Sequence, residues 1–421
     1  MIREHNRVQV GFAMMVSAAL MSLPVMAADG PPDLTKGETA GVDRAGTYNL
    51  GATGLRGWIY LKPANYLDGL QGRTTAASRQ ILVTHVGAKS PADGVMKVND
   101  VILGAGGNLF TDDARRSIAA AIQEAEKEAN KGILKLTRWR PIDSASASAK
   151  ASADKQGKAG KTEEVQLKLR VMGTYSDTAP DNCPKSQRIF NDACKMLEKE
   201  PLQEDWCCAI NGLALLATGN PDYLPKVQAF ARRMGPPTMK LGSQGLGAWE
   251  SGYRNLFLCE YYLRTGDKEV LHAIREITVS TARGQGMYGT FGHGFADLTP
   301  DGKLHGSIPP YGPVNQAGLG ANMAIVMGRK CGVKDPEIDP AIERAAKFFG
   351  YFVDKGAIPY GEHEPWPYHE NNGKSAMTAI LFAMQGSRTK ETQFFAKMSI
   401  AGNKNRECGH TGQGFSYLWG A

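Results

Sequence analysis

From Cys183 onward the sequence repeats one plan: an apolar helix, a tight turn, then a one-sided helix. The first copy reads WCCAINGLALLATGNPDYLPKVQAFARRMG. The second, WESGYRNLFLCEYYLRTGDKEVLHAIREITVSTARG, repeats it down to the TG-N/D turn. NQAGLGANMAIVMGRKCG with IERAAKFFGYFVDKG makes a third copy, NGKSAMTAILFAMQG with KETQFFAKMSIAG a fourth, and HTGQGFSYLWGA opens a fifth. Their starts lie roughly 40 to 70 residues apart, the range of stacked helix pairs. The first helix of each pair is apolar nearly all round and rich in Gly and Ala, so it must be buried on every side. The second turns Lys, Arg and Glu outward. Buried inner helices ringed by amphipathic outer ones predict an all-α helical-hairpin domain over 183–421, described better by an α/α toroid than by an open TPR-like array, which stays the alternative. The sequence stops at FSYLWGA, partway through an inner helix, which predicts a C-terminally truncated, incomplete ring.

Ahead of the helices, residues 47–176 read as an α+β domain. LGATGLRGWIYLKP and RQILVTHVGAKSPADGVMKVNDVILGAGGNLF carry strand-like runs. Asp112 to Lys131 has helical spacing, with Ile118, Ala121, Ile122 and Ala125 on one face. Asp112 or Asp113 caps it and Gly132 stops it. ILKLTRW and VQLKLRV alternate and pair as a hairpin. Between them SASASAKASADKQGKAGK has no large apolar residue to bury, so 141–163 is predicted to be a flexible, inserted hairpin tip.

These residues resemble a bacterial PDZ domain, most clearly at SPADGVMKVNDVILGAGG (Ser90 to Gly107). The resemblance implies that 112–131 is the groove-lining helix. It also implies that TGLRGW (Thr53 to Trp58) is a carboxylate-binding loop leading into a strand to which a peptide adds. Successive backbone N–H groups would hold the carboxylate while main-chain bonds extend the sheet. Leu55, Arg56, Gly57, Trp58 and Ile59 are then the peptide-binding residues, and a protein C-terminus or extended peptide is the partner. Arg56 departs from the usual apolar residue, and Tyr60 to Arg79 lengthens the first hairpin.

The first 27 residues read as a signal peptide. Arg3 and Arg7 are basic, Gly11 to Leu23 is uncharged and mostly apolar, and Val25-Met26-Ala27 precedes a cut at Ala28. A Gly/Pro/Asp-rich, disordered lead follows over 28–46. The expected location is secreted or periplasmic, with no membrane span after signal cleavage. The 49 basic against 42 acidic residues leave +7, but no basic stripe interleaved with aromatics appears, so nucleic acid is not an expected partner. The seven cysteines do not form a framework of spacings. Cys207, Cys208, Cys259 and Cys331 sit in apolar helical runs as small hydrophobes, while a Cys183–Cys194 pair is left open.

Taken together, the order of signal, PDZ-like domain and helical domain ending in ECGHTGQGFSYLWG resembles an uncharacterised family of secreted bacterial proteins. The helical part is similar in architecture to terpenoid-cyclase-like and polysaccharide-lyase-like toroids. In such rings the N-terminal ends of the inner helices line one mouth. Here those positions supply Glu250, His293, Tyr311, His363, His369, Glu370 and His410 as candidate catalytic groups. Trp249, Tyr253, Asn315, Gln316, Tyr360, Glu362, Trp366, Tyr368 and Asn371 are candidate ligand contacts. His363 and His369 are too far apart, and too interrupted by Pro365 and Pro367, for a helical zinc-protease motif.

Toroidal lyases take the proton beside a uronic carboxylate with Tyr or His and neutralise the carboxylate. Tyr311, Asn315, His293, His369 and Glu250 match that chemistry. Paired carboxylates, as Glu250 with Glu362 or Glu370, match hydrolysis. The leading expectation is binding, with cleavage as its extension, of an extracytoplasmic glycan at the toroid mouth, with no cofactor. The alternative is a non-catalytic protein-interaction scaffold. Third is a zinc enzyme, resting on Cys408, His410 and Cys207 by likeness to lanthionine synthetase cyclases.

Overall fold

The computed structural model of the protein describes residues 47–59, 79–142, 160–236, 241–242, 245–308, 311–365, 373–402 and 413–420. The predicted signal, the lead and residues 143–159 of the hairpin tip lie outside the described residues. The chain divides into two compact units, with the boundary between Val171 and Met172.

The first unit is an antiparallel sheet. Its strands are β1 (Tyr48–Asn49), β2 (Leu55–Trp58), β3 (Ile81–Val86), β4 (Val101–Ala105), β5 (Asn108–Leu109), β6 (Ile133–Pro141) and β7 (Gly160–Lys168). They run in the order β1-β2-β3-β4-β6-β7, with β5 attached to β4. Helix α1 (Ala114–Ala125) lays Ile118 and Ala125 onto Leu55, Val83, Ile102 and Leu136. Asp113 caps it, accepting from the Arg115 amide at 3.0 Å, as its spacing predicts. The helix stops at Ala125 rather than continuing to Lys131. The Gly132 amide returns to the Ala125 carbonyl, and Lys131 and Gly132 both take positive φ, which turns the chain into β6. Pro141 pairs with Gly160, so the β6–β7 hairpin extends into both ends of the predicted tip.

The opposite face of the sheet carries Trp58, Leu82, Val101 and Trp139. Beside them Asp100, 1% exposed, takes both nitrogens of a fork from Arg140 at 2.7 Å each. Arg138 lies 4.0 Å from the same carboxylate, donates to the Val95 carbonyl at 2.6 Å and pairs with Glu163. The hydrogen bond to Asp100 raises the Arg140 pKa, while burial lowers that of Arg138.

The second unit is all α. Cys183 starts its first helix: its sulfur accepts from the Ser186 and Ser176 amides and caps α2 (Pro184–Lys199). Hydrogen bonding, from Ser186 first and then Ser176, lowers the thiol to about 6. Cys183 and Cys194 are both free thiols, so the pair left open by the sequence is not made; the Cys183 sulfur serves as a helix cap instead.

The helical hairpins follow as read. They are α3 (Trp206–Ala217) with α4 (Leu224–Arg233), α5 (Gly247–Thr265) with α6 (Leu271–Arg283), α7 (Asn315–Lys330) with α8 (Ile338–Gly350), and α9 (Lys374–Gln385) with α10 (Thr389–Ala401). Helix α11 (Gln413–Gly420) comes last. The first members pack on each other in succession, α3 on α5, α5 on α7, α7 on α9 and α9 on α11. Every residue of α7 from Asn315 to Gly328 is buried, which explains its all-round apolar sequence. A Cβ at Gly252 would sit 2.9 Å from the backbone of Gly320 and Ala321, so the α5–α7 contact depends on that glycine. Asn255 ties three helices by donating to Thr278 of α6 at 2.9 Å and to the Ala324 carbonyl of α7 at 3.1 Å. Helix α11 also meets α3 and α5: Phe415 lies against Trp206, Trp249 and Tyr253, and Trp419 against Tyr253. Among the described residues no helix is long and apolar enough to cross a membrane.

Candidate functional site

Because each inner helix is preceded by an outer one, the inner helices run the same way and their first residues meet at one end. There they assemble a row of rings. Trp206 opens α3 and stands 5.7 Å from Trp249 and 5.5 Å from Tyr253, both early in α5. Phe415 of α11 stacks on Trp206 at 6.3 Å. The row continues through Trp249 to His293 at 6.3 Å, then to Tyr311 at 5.6 Å and Tyr360 at 6.4 Å. Two connecting segments deliver these three rings, His293 and Tyr311 from the α6–α7 connection and Tyr360 from the α8–α9 connection. Backbone bonds hold them, Ala248 N–H to the His293 carbonyl and Asn315 N–H to the Tyr360 carbonyl, both at 2.9 Å.

The inner end of the row is fixed and the outer end is open. Tyr253 is buried, accepts from the Trp419 indole at 3.1 Å, and has its pKa raised far up by burial. The Trp249 indole donates to His293 Nδ1 at 3.0 Å. That commits Nδ1 as an acceptor, so neutral His293 carries its proton on Nε2 and offers a donor there. Tyr311 is 62% exposed. Tyr360 is half-buried; burial, and then a hydrogen bond with Tyr311, push it up to about 12. It stays protonated near neutral pH.

The segment carrying Tyr360 runs on into a groove of ≈ 800 Å³. Glu362 and His363 line it from one side, Arg344, Tyr351 and Arg388 from helices α8 and α10 and the turns beside them, and Tyr288 from the α6–α7 connection. A buried polar cluster anchors that connection. Gln285 bonds Asn322 at 2.8 Å and receives Arg344 at 2.8 Å, and His305 bridges Gln285 and Glu337 at 2.8 and 2.9 Å. Arg388 is tied to Glu343 at 2.9 Å.

The sequence candidates do not all converge. His293, Tyr311 and Tyr360 come together with Trp249 and Tyr253, and Glu362 and His363 open on the groove. Glu250 faces Arg254 at 3.8 Å along α5. Asn315 is wholly buried: it donates to the carbonyls of Pro359 and Gly361 at 3.1 and 3.0 Å and accepts from Thr290. It positions the Tyr360 segment and does not face a ligand. Gln316 is likewise buried and donates to the Met377 sulfur at 2.9 Å. Trp366, Tyr368, His369, Glu370, Asn371, Cys408 and His410 lie outside the described residues. Cys207 is an exposed thiol, and among the described residues no three metal-binding side chains cluster.

Four contributors were not singled out from sequence: Trp206, Phe415, Tyr288 and Tyr351. Trp206 was recoverable, since it begins α3 as Trp249 begins α5 in the next copy. Tyr288 and Tyr351 had no signal, because they meet across a tertiary groove.

In the first unit, Leu55, Gly57, Trp58 and Ile59 are buried and Arg56 is exposed. Strand β2 lies between β1 and β3. The edge expected to receive a peptide is therefore already covered at Arg56 and Gly57 by Asn49 and Tyr48. The reason is local: the turn through Gly51–Thr53 and Gly54, at φ 76, folds the preceding residues back onto β2.

Residues 186–421 match the model of a family described as a domain of unknown function, DUF6288. No curated protein and no solved structure matches the chain.

Proposed function

This chain belongs to the DUF6288 family, and we propose that its helical unit binds an extracytoplasmic glycan. The observation that carries this is the open end of the ring row, where exposed Tyr311 meets Tyr360, two residues before Glu362 in a groove lined by Tyr288 and Tyr351 beside Glu362, His363, Arg344 and Arg388. Aromatic faces cover the apolar faces of sugar rings, and a few charged groups at the rim accept and donate to hydroxyls. Return of α11 onto α3 and α5 supports a toroid, with this row at its mouth. An exported protein with a PDZ-like first unit completes the reading, on the signal-like start and the sheet-and-helix arrangement of residues 47–168.

Cleavage is a second reading, favoured by the His293–Tyr311–Tyr360 cluster. A tyrosine is the group that takes the proton beside a uronic carboxylate, and His293 Nε2–H is a donor for the charge that develops. Glu250, held by Arg254, supports a paired-carboxylate hydrolysis less well.

The test is to screen the full chain for binding and turnover against uronic-acid and neutral polysaccharides. Binding of at least one polysaccharide is expected, weakened about tenfold or more when Tyr288 and Tyr351 are both changed to Ala, a loss of about 1.4 kcal/mol. Tyr311→Phe should lower any turnover by about 10²–10⁴. No binding to any member of the panel would move the protein to the scaffold reading.

A further inference from the structure

We propose that residues Thr47–Leu50 are a built-in occupant of the β2 edge, so that a peptide partner adds to β2 only by displacing them. An extended peptide joins a sheet where a strand offers unpaired backbone groups, with alternate side chains entering pockets. Here those groups are already used. Tyr48 and Asn49 pair antiparallel with Gly57 and Arg56, and the Leu50 amide donates to the Leu55 carbonyl at 2.9 Å.

The turn that follows is also satisfied from within. The Gly51 amide donates to Asn49 Oδ1 at 2.9 Å, Gly54 to the Gly51 carbonyl at 3.2 Å, and Leu55 to Thr53 Oγ1 at 3.1 Å. The N–H groups that would hold a terminal carboxylate are thus spent on the chain itself.

Side chains repeat the pattern. Leu50 is 4% exposed and packs in the core that α1 shares with β2. Tyr48, two residues earlier and so on the same side, lies under the Arg115 guanidinium of α1 at 4.8 Å. Arg56 clasps the start of the segment, giving Nε to Thr47 Oγ1 and a second nitrogen to the Thr47 carbonyl, both at 3.1 Å. Yet β1 is only two residues long, and Thr47, Asn49 and Arg56 are half-buried or exposed. So short a strand is released at low cost.

The occupant also describes its competitor: a peptide ending in a large apolar residue, with an aromatic residue two places before it. The proposal rests on the reading of β2 as a peptide-adding edge, and the experiment separates the two. A labelled peptide ending in Thr-Tyr-Asn-Leu with a free carboxylate is titrated against the full chain as wild type and as Tyr48→Ala. It is also titrated against the double variant Asn49→Cys/Arg56→Cys in oxidised and reduced forms. Asn49 and Arg56 face each other across the strands, a spacing that a disulfide spans. Tyr48→Ala is expected to bind at least tenfold more tightly than wild type, and the oxidised lock at least tenfold more weakly than its reduced form. The reduced lock controls for misfolding, since it differs from the oxidised one by a single bond. Equal binding by all four forms overturns self-occupation while keeping the edge. No binding by any form overturns the edge itself.

Discussion

Changing Asp100 to Ala is expected to destabilise the first unit by about 3–5 kcal/mol, the range for removing one partner of a buried ion pair. Asp100 is 1% exposed and receives both nitrogens of the Arg140 fork, while Arg138, 6% exposed, sits 4.0 Å away. Without the carboxylate two guanidinium groups share a pocket with no shared anion, and the Lys97 amide loses the oxygen it donates to at 2.8 Å. The reverse change, Arg140→Met, should cost less, because Asp100 keeps the Lys97 amide and gains Arg138 as its nearest cation. Two units in one chain make a single melting curve hard to interpret, so the measurement is amide exchange along β4 and β6. A loss below about 1 kcal/mol for Asp100→Ala would mean that water, and not the carboxylate, solvates the two arginines.

The second large effect concerns Trp206. Its ring touches Trp249, Tyr253 and Phe415 at 5.5 to 6.3 Å, joining α3 to α5 and α11. Trp206→Ala should cost the helical unit about 3 kcal/mol, the lower end for a large aromatic because Trp206 is only half-buried. The loss should concentrate at α11, an eight-residue helix that has little stability of its own. Limited proteolysis should therefore cut between α10 and α11 much faster in the variant, with α5–α7 still protected. Uniform loosening of all the helices would contradict the placement of Trp206 as the tie between α11 and its neighbours.

Much of the helical unit was legible because burial imposes a simple pattern. The all-round apolar run beginning at Asn315 belongs to a helix enclosed over fourteen residues, and the one-sided runs became the outer helices. The aromatic row was legible in part for the same reason: polar and aromatic residues before an apolar helix stand out. Their orientations were not. Asn315 looked like a ligand contact, but it is the latch for the Tyr360 segment, which depends on carbonyls 44 and 46 residues away. Tyr288 and Tyr351 meet only after two hairpins pack. In the first unit, β-type sequence was legible from LGATGLRGWIYLKP, but TGLRGW, read as a loop leading into a strand, already contains strand β2 from Leu55 to Trp58, and its neighbour Tyr48–Asn49 was hidden. A two-residue strand has no periodicity to read, and what fixes it is the turn at Gly54 and the reach of Arg56.

The central claim, that the open end of the aromatic row and the adjoining groove form one glycan-binding surface, is tested most directly by oxidative footprinting of the full chain with a bound polysaccharide. The account predicts several-fold protection of Tyr288, Tyr311, Tyr351 and His363, with Met196 on α2 and Ile400 on α10, 67% and 74% exposed, modified as fast as before. Protection confined to other residues, with those four as reactive as in the free protein, would contradict it.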